Sequence, residues 1–257
     1  MMEENTKQNI QIALISFILC MFSSYAYAKP PVTVKMHKGE AKVTALEGTA
    51  QAFCLGHEKA RYLKIEAVLK SGCEVSTGEK SLLELALPDN SIIRFAENTR
   101  FKLLQVDVDD TGGRNVKISV TIGKVWSNVR KTLGGNGGFE VSCENAVAGV
   151  RGTIYRMDVE ADKSALVKVY NGEVSVAAVK SPQQLSAIVS GTPQPVPGPK
   201  VIAGPKPVSL EEWVYIVKSM QQISIKSDGK AEEPKDFTED EDRDAWVDWN
   251  KARDNKN

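Results

Sequence analysis

Histidine is nearly absent from this chain of 257 residues, which contains only His37 and His57. Both lie among polar and charged neighbours, so we expect surface histidines and not a base that activates a serine or cysteine nucleophile. The four cysteines include no Cys-x-x-Cys pair. With so few cysteine and histidine ligands, a zinc site has little support. The sequence therefore predicts no metal site and no nucleophilic catalysis.

Motifs that bind cofactors or phosphate are also missing. The sequence has no Gly-x-Ser-x-Gly elbow, no phosphate-binding loop and no dinucleotide-binding glycine pattern after a strand. Two acidic runs begin like calcium loops, but Ile118 and Lys251 stand at the twelfth position, where such a loop needs glutamate. We therefore expect no cofactor and no enzyme. A hydrolase of cell-wall polymer is the remaining catalytic alternative, although no pair of carboxylates is singled out for it.

A dense basic run is absent, and the formal net charge is zero. Charge is nevertheless uneven, because residues 232–257 carry a net charge of −5 and residues 29–231 a net charge of +6. The basic residues are scattered and have no interleaved aromatic residues, which indicates a solvated surface and argues against nucleic acid as a partner.

One long apolar run stands at the start of the chain, over residues 10–22. Ala26-Tyr27-Ala28 follows it, and signal peptidase accepts small residues at the two positions that Ala26 and Ala28 occupy. Residues 1–28 are therefore predicted to be a signal peptide, and we expect a periplasmic or extracellular protein. Only Lys7 is basic ahead of the run, so retention as an uncleaved anchor is the alternative. After cleavage no segment approaches a membrane-spanning length.

Three cysteines follow the predicted signal: Cys54, Cys73 and Cys143. Exported proteins fold in an oxidising compartment, so one pair can close. Cys54 and Cys73 are closer in sequence, and we expect the disulfide between them and a free thiol at Cys143.

Residues 32–180 alternate apolar and polar side chains in short runs, such as Leu83-Glu84-Leu85 and Val116-Lys117-Ile118-Ser119-Val120. This period of two predicts half-buried strands. Turn residues separate the runs every 8 to 15 residues, as at Pro88-Asp89-Asn90 and Asn171-Gly172. The sequence therefore predicts a mainly β domain over 32–180, with many short strands in a sandwich or roll.

The remaining third of the chain divides into two parts. Residues 181–208 are rich in proline and glycine, which indicates an extended linker. Over 209–257 we expect a helix followed by an acidic extension. Ser209 and Glu212 form a capping box, and Trp213, Val214 and Val217 fall at helical spacing. That apolar face packs on its own domain or, alternatively, docks a partner.

The acidic extension contains three large aromatic residues, Phe237, Trp246 and Trp249. Aromatic side chains in a charged tail favour burial, so we expect the extension to fold back onto the β domain.

Five short motifs follow one another between residues 40 and 178. They are Thr77-Gly78, Leu85-Ala86-Leu87-Pro88-Asp89-Asn90-Ser91, Gly123-Lys124-Val125-Trp126, the segment from Ala146 that ends in Val150-Arg151-Gly152-Thr153, and Val169-Tyr170-Asn171-Gly172-Glu173-Val174. This series resembles the FecR domain family. One departure is Asn90, where glycine is usual, and asparagine also tolerates a left-handed turn.

The resemblance implies an extracytoplasmic β domain. The best-known members of the family sense a loaded outer-membrane receptor and control a sigma factor, which requires a cytoplasmic segment ahead of a membrane helix. Only residues 1–9 precede the apolar run here. We therefore expect a stand-alone exported FecR domain without the anti-sigma segment, and do not carry the sigma-factor role over.

Within the Val150-Arg151-Gly152-Thr153 motif, Gly152 is expected to adopt a backbone conformation closed to other residues. Arg151 has two interpretations. It is a buried strut that holds the turn, or it recognises a carboxylate or glycan with its guanidinium group.

The sequence leaves three functions open. The leading one is an exported, non-catalytic binding or assembly protein whose partner is an envelope protein or glycan. The second is a periplasmic regulatory or signalling component that contacts a receptor or a membrane-bound regulator. The third is the cell-wall hydrolase, which the absence of catalytic motifs from the sequence disfavours.

Overall fold

The computed structural model describes residues 39–56, 58–109, 113–131, 137–179 and 214–255. The predicted signal peptide and the predicted linker over 181–208 lie outside these residues. The described chain is mainly β and ends in a helix, which confirms the predicted fold class. The strands are β1 Glu40–Glu47, β2 Ala50–Phe53, β3 Arg61–Tyr62, β4 Val68–Lys70, β5 Glu74–Thr77, β6 Leu82–Ala86, β7 Ile92–Phe95, β8 Arg100–Val108, β9 Arg114–Asn128, β10 Gly137–Ser142, β11 Ala146–Val150, β12 Ile154–Val159, β13 Ala165–Asn171, β14 Glu173–Ala178, β15 Val214–Lys218, β16 Gln221–Ile225 and β17 Lys235–Asp236; the helix is α1 Ala245–Asp254.

Two sheets face each other and share one long strand, β9. Sheet A has the order β4-β1-β6-β7-β9-β12-β13-β16-β17. Sheet B has the order β3-β2-β5-β8-β9-β10-β11-β14-β15. Strand β9 pairs in sheet B over Arg114–Ile122 and in sheet A over Gly123–Asn128. Gly123 takes a positive φ of 104° at the change of sheet, where an added Cβ would lie 2.5 Å from Thr99 Cα. Only glycine fits this bend.

The main core lies between the two sheets, and it follows from the period of two. In β8 the buried Phe101 and Leu103 alternate with exposed residues. Burial of each large apolar side chain contributes about 1.5–3 kcal/mol. The predicted alternation therefore does correspond to one face toward the core and one toward solvent.

The predicted helix beginning at Ser209 is wrong over its described part, which forms two consecutive strands, β15 and β16, that join different sheets. Strand β15 pairs antiparallel with β14, and β16 pairs with β13. Val217 is buried in the core, Val214 is exposed, and Trp213 lies outside the described residues. The residues of β15 are β-branched or aromatic at four consecutive positions, which favours a strand wherever a neighbouring edge is open. Val214 and Val217 are three residues apart, as on one face of a helix, but a pattern of this length does not exclude a strand.

The structure joins Cys54 and Cys73 in a disulfide, the pair proposed from the sequence. The bond links the end of β2 to the residue before β5. Cys143 is free and buried.

The C-terminal extension packs on the outer face of sheet A. Phe237 and Trp246 are buried there, and Trp249 is half-buried against the same cluster. Helix α1 begins after Asp244, whose side chain accepts a hydrogen bond from the Val247 amide at 2.7 Å. The expectation that the aromatic residues anchor the acidic tail is confirmed. Within the described ranges, no helix has the length and apolar character needed to span a membrane.

Candidate ligand-binding groove

The Val150–Thr153 turn carries the chain from sheet B to sheet A, because β11 ends at Val150 and β12 begins at Ile154. Thr153 is buried and exchanges two backbone hydrogen bonds with Val129, at 3.0 and 3.2 Å. Its hydroxyl donates to the Glu173 carbonyl at 2.9 Å. The end of the turn is therefore fixed to β9 and to β14.

Two glycines bring this turn against its neighbours. Gly152 has φ +146°, and an added Cβ would lie 2.8 Å from Lys131 Cα. Gly172 has φ +90°, and its Cβ would lie 2.8 Å from the Gly152 carbonyl oxygen. Because side chains at these positions would meet backbone or Cα atoms, the close approach requires glycine at both. This agrees with the conformation expected at Gly152.

Arg151 is exposed, which disagrees with the interpretation of this residue as a buried strut. The physical reason is the alternation of strand β11: Val150 points into the core, so the next side chain points outward. No hydrogen-bond or ion-pair partner is found for the guanidinium group within the described part of the chain. The turn itself is held by Thr153 and the glycines, which leaves the arginine fork available.

A groove of about 660 Å³ runs over the outer face of sheet B beside Arg151. Its floor is a cross-strand row in which Glu140 lies opposite Gly149, Gly149 opposite Ser175, and Ser175 opposite Ile216. The row dips at Gly149 because that position has no side chain. Lys131, Arg151 and Glu173 also line the groove, as do the turn residues 171–172.

Residues 74–175 match the family model described as FecR protein. These residues form a FecR domain. The domain contains strands β5 to β13 and the start of β14, so it supplies Glu140, Gly149, Arg151 and Ser175 of the groove. Ile216 comes from β15, outside the matched range.

Two crystal structures of a "putative anti-sigma factor" from Parabacteroides distasonis are similar to the chain with a TM-score of 0.43 each. The identities are 18% and 17%, and each match covers 63% of this chain and 59% of the other. The chain thus spans less than two thirds of the length of these neighbours. No curated protein matches it.

The groove beside the FecR turn is lined by two cations, Lys131 and Arg151, and by two carboxylates, Glu140 and Glu173, so an anionic ligand would have to reach the cations. Lys131 and Arg151 are both exposed there, and neither has a carboxylate partner among the described residues. Glu140 lies 3.5 Å from Lys117, so its charge is partly compensated. A guanidinium fork binds a carboxylate through two parallel hydrogen bonds. The arrangement therefore suits a ligand that presents a carboxylate to Arg151 and lays its remaining part along Gly149.

The other residues proposed from the sequence do not join this groove. The disulfide of Cys54 and Cys73 belongs to the β2–β5 end of sheet B, and Val217 is a core residue. Among the described residues, no group of three or more histidine, cysteine, aspartate or glutamate side chains could hold a metal ion. Lys131 and Gly149 were missed. A glycine inside a strand often marks a close approach of a ligand, and that signal could have found Gly149.

Proposed function

We propose that this chain is an exported, non-catalytic FecR-domain protein of the cell envelope that binds a carboxylate-bearing ligand in the groove beside Arg151. The ligand is an envelope protein or a glycan. The observation that carries the proposal is an exposed arginine with no partner in the described chain, on a turn that glycines and Thr153 hold in place. A residue that only stabilised the turn would instead direct its guanidinium group to nearby carbonyl groups.

Two observations support export. The first is the apolar run that ends in Ala26-Tyr27-Ala28. The second is the disulfide between Cys54 and Cys73, since such bonds persist in oxidising compartments and are rare in the cytosol.

The experiment is retention of the purified chain on isolated cell-envelope material. Arg151→Ala should reduce retention at least tenfold while circular dichroism and the midpoint of thermal unfolding stay unchanged. Arg100→Ala is the matched control, because Arg100 is another exposed arginine of sheet B that does not line the groove. Equal retention of both variants and the wild type would contradict the proposal.

A second candidate is a periplasmic regulatory or signalling component that contacts a receptor or a membrane-bound regulator. The FecR domain at residues 74–175 favours it, as does the outward face of β15, where Val214 and Ile216 are exposed beside the groove. Exposed apolar side chains next to a polar groove are typical of protein partners. Capture of discrete proteins that is lost in Arg151→Ala supports this candidate, whereas retention on protein-free glycan supports a glycan ligand.

The non-catalytic part of the proposal has its own test. Purified chain should release no sugar or peptide from cell-wall polymer. Measurable turnover that the Arg151→Ala variant loses would make the groove an active site and would contradict the proposal.

A further inference from the structure

A row of polar side chains crosses the outer face of sheet A, on the opposite side of the molecule's core from the groove. The pairing registers place Glu84 opposite Arg94, Arg94 opposite Trp126, Trp126 opposite Arg156, and Arg156 opposite Lys168. These five residues, called the polar row below, come from five adjacent strands. Three of the five are cations on a face that would ordinarily meet solvent.

The polar row is covered by residues 237–255, called the cap below. Arg94 is 0% exposed and Arg156 is 6% exposed. A buried charge costs several kcal/mol unless it is paired and hydrogen-bonded. The cap must therefore bring the missing acceptors, and it does so at two places.

The first place holds the carboxylate of Asp254, near the end of α1. One oxygen accepts from Arg94 Nη1 at 2.6 Å, and the other accepts from Trp126 Nε1 at 2.9 Å. Arg94 Nε also donates to Glu84 at 2.6 Å. Both oxygens of Asp254 are thus bound by donors of the polar row.

The second place holds the carboxylate of Asp242, which precedes α1. One oxygen accepts from Lys168 Nζ at 2.7 Å and lies 2.9 Å from Arg156 Nη2. The other accepts from the Tyr170 hydroxyl. Three donors from two neighbouring strands, β12 and β13, converge on this one carboxylate.

The cap also brings aromatic rings to the cations. Lys168 Nζ lies 5.1 Å from the centre of the Phe237 ring, and Arg94 lies 5.9 Å from the centre of the Trp249 ring. Cations over aromatic faces are attracted to the ring quadrupole, more strongly when water is excluded. The face therefore selects carboxylates together with aromatic side chains.

Some donors of the polar row stay without a hydrogen bond beneath the cap. Arg94 Nη2 and Arg156 Nε are buried without a partner in the described chain, and Arg156 Nη1 has no hydrogen bond but lies 3.8 Å from Asp244 Oδ2 of the cap. One buried acceptor on the same strand as Arg156, Asp158 Oδ1, is also unpaired among the described residues. Native structures rarely leave such groups unpaired. The face can thus accept more acceptor atoms than the cap presents.

The cap is attached in a way that allows exchange. Phe237 donates its amide to the Met220 carbonyl at 3.0 Å, and the hydrogen bonds described between residues 238–255 and the strands run through side chains. A segment of the same chemistry could replace the cap without breaking a β ladder.

We infer that the polar row is a binding surface for an acidic, aromatic-bearing segment of a partner protein, and that the cap is its built-in competitor. Charge complementarity supports this: the row has three cations and one carboxylate, and the cap meets the cations with Asp242, Asp254 and aromatic rings and meets Glu84 with Arg253. This surface is distinct from the groove beside Arg151, so either proposal can fail alone.

The test uses the full chain with a protease site inserted between Asp236 and Phe237, at the exposed end of β17, so that cleavage severs the cap and leaves the pairing of β16 with β17 intact. After cleavage, a fluorescent synthetic peptide of residues 237–257 serves as the probe for an acidic segment. The peptide should replace the severed cap and bind saturably, as measured by fluorescence anisotropy. A peptide with Asp242→Asn and Asp254→Asn should bind at least tenfold more weakly.

The control peptide carries Asp240→Asn and Asp248→Asn, which remove the same charge from exposed positions that do not touch the polar row. It should bind like the unchanged peptide. Three results would overturn the inference: no exchange while the cleaved chain stays folded, unfolding of the body when the cap leaves, or equal weakening by both peptide pairs. Stable dimers of the uncut chain that exchange caps would assign the surface to a second copy and would also overturn it.

Discussion

At the scale of single residues, the buried Glu84 carboxyl of sheet A has a strongly lowered pKa. Burial works to raise the pKa of Glu84, but hydrogen bonds from Arg253, Arg94 and Thr44 outweigh it and lower the pKa from 4.5 to about 2. Because the folded pKa lies below the unfolded value, this group stabilises the fold fully above pH 4.5. The contribution, about 3 kcal/mol, is lost as the pH falls toward 2.

We therefore predict that Glu84→Gln lowers the free energy of unfolding at pH 7 by about 3 kcal/mol. The variant should also lose much of the acid dependence between pH 4.5 and 2. Urea unfolding at a series of pH values measures both effects. Glu160→Gln is the control, because Glu160 is exposed. An unchanged acid profile in Glu84→Gln would contradict the assignment.

A substitution at Gly152 tests the close packing of the Val150–Thr153 turn. Gly152→Ala should destabilise the fold by about 1–3 kcal/mol, since φ +146° is strained for alanine and the added Cβ would meet Lys131 Cα at 2.8 Å. Gly149→Ala should be neutral or slightly stabilising, because its Cβ would meet nothing closer than the Ser175 carbonyl oxygen at 3.9 Å. Thermal unfolding compares the two, and equal midpoints would contradict the packing described for the turn.

At the scale of elements, the alternation of apolar residues was enough to predict the strands but not their partners. Leu83-Glu84-Leu85 was correctly predicted as a strand, yet nothing local indicated that Glu84 would be buried beneath α1. The exposure of Arg151 was more difficult still to predict from the sequence. Its exposure follows from the direction of Val150 relative to the core, which depends on the pairing of β11 with two other strands.

Strands β15 and β16 show why a short helical pattern is a weak predictor of a helix. Val214 and Val217 are spaced for a helix, but an open edge on β14 and on β13 offered backbone hydrogen bonds to a β-branched segment. Helix α1 went unpredicted although its signals are present: an N-cap aspartate at 244, and basic residues in the last turn. The large apolar residues of α1 are two tryptophans and one valine, and most of the other side chains are charged, so the hydrophobic periodicity of the helix is weak.

The disulfide of Cys54 and Cys73 connects the end of β2 to the residue before β5 across 19 residues of sequence. Replacing both cysteines with alanine should cost about 3 kcal/mol of unfolding free energy, because the closed loop restricts the unfolded chain.

A chain beginning at Lys29 should react with one equivalent of alkylating reagent when denatured without reductant, and with three after reduction. Burial raises the pKa of the Cys143 thiol, so the native chain should react slowly. Three reactive thiols without reductant would contradict the bond.

At the scale of the whole molecule, the two outer faces of the sandwich differ in what they offer. Sheet B carries an open groove with an exposed arginine, and sheet A carries a polar row that the chain covers with its own acidic cap. The acidic charge of the tail was visible in the sequence, and so were its aromatic residues. Which strands supply the cations beneath it was not, because Arg94, Arg156 and Lys168 meet only through pairing across sheet A.

Hydrogen–deuterium exchange of the whole chain, with and without solubilised envelope material, tests the central claim most directly. The groove beside Arg151 should gain protection on binding, in the backbone of residues 149–153 and 173–175. Arg151→Ala should abolish that gain and Arg100→Ala should keep it. Protection that appears elsewhere while the groove exchanges as before would contradict the assignment of the groove as the binding site.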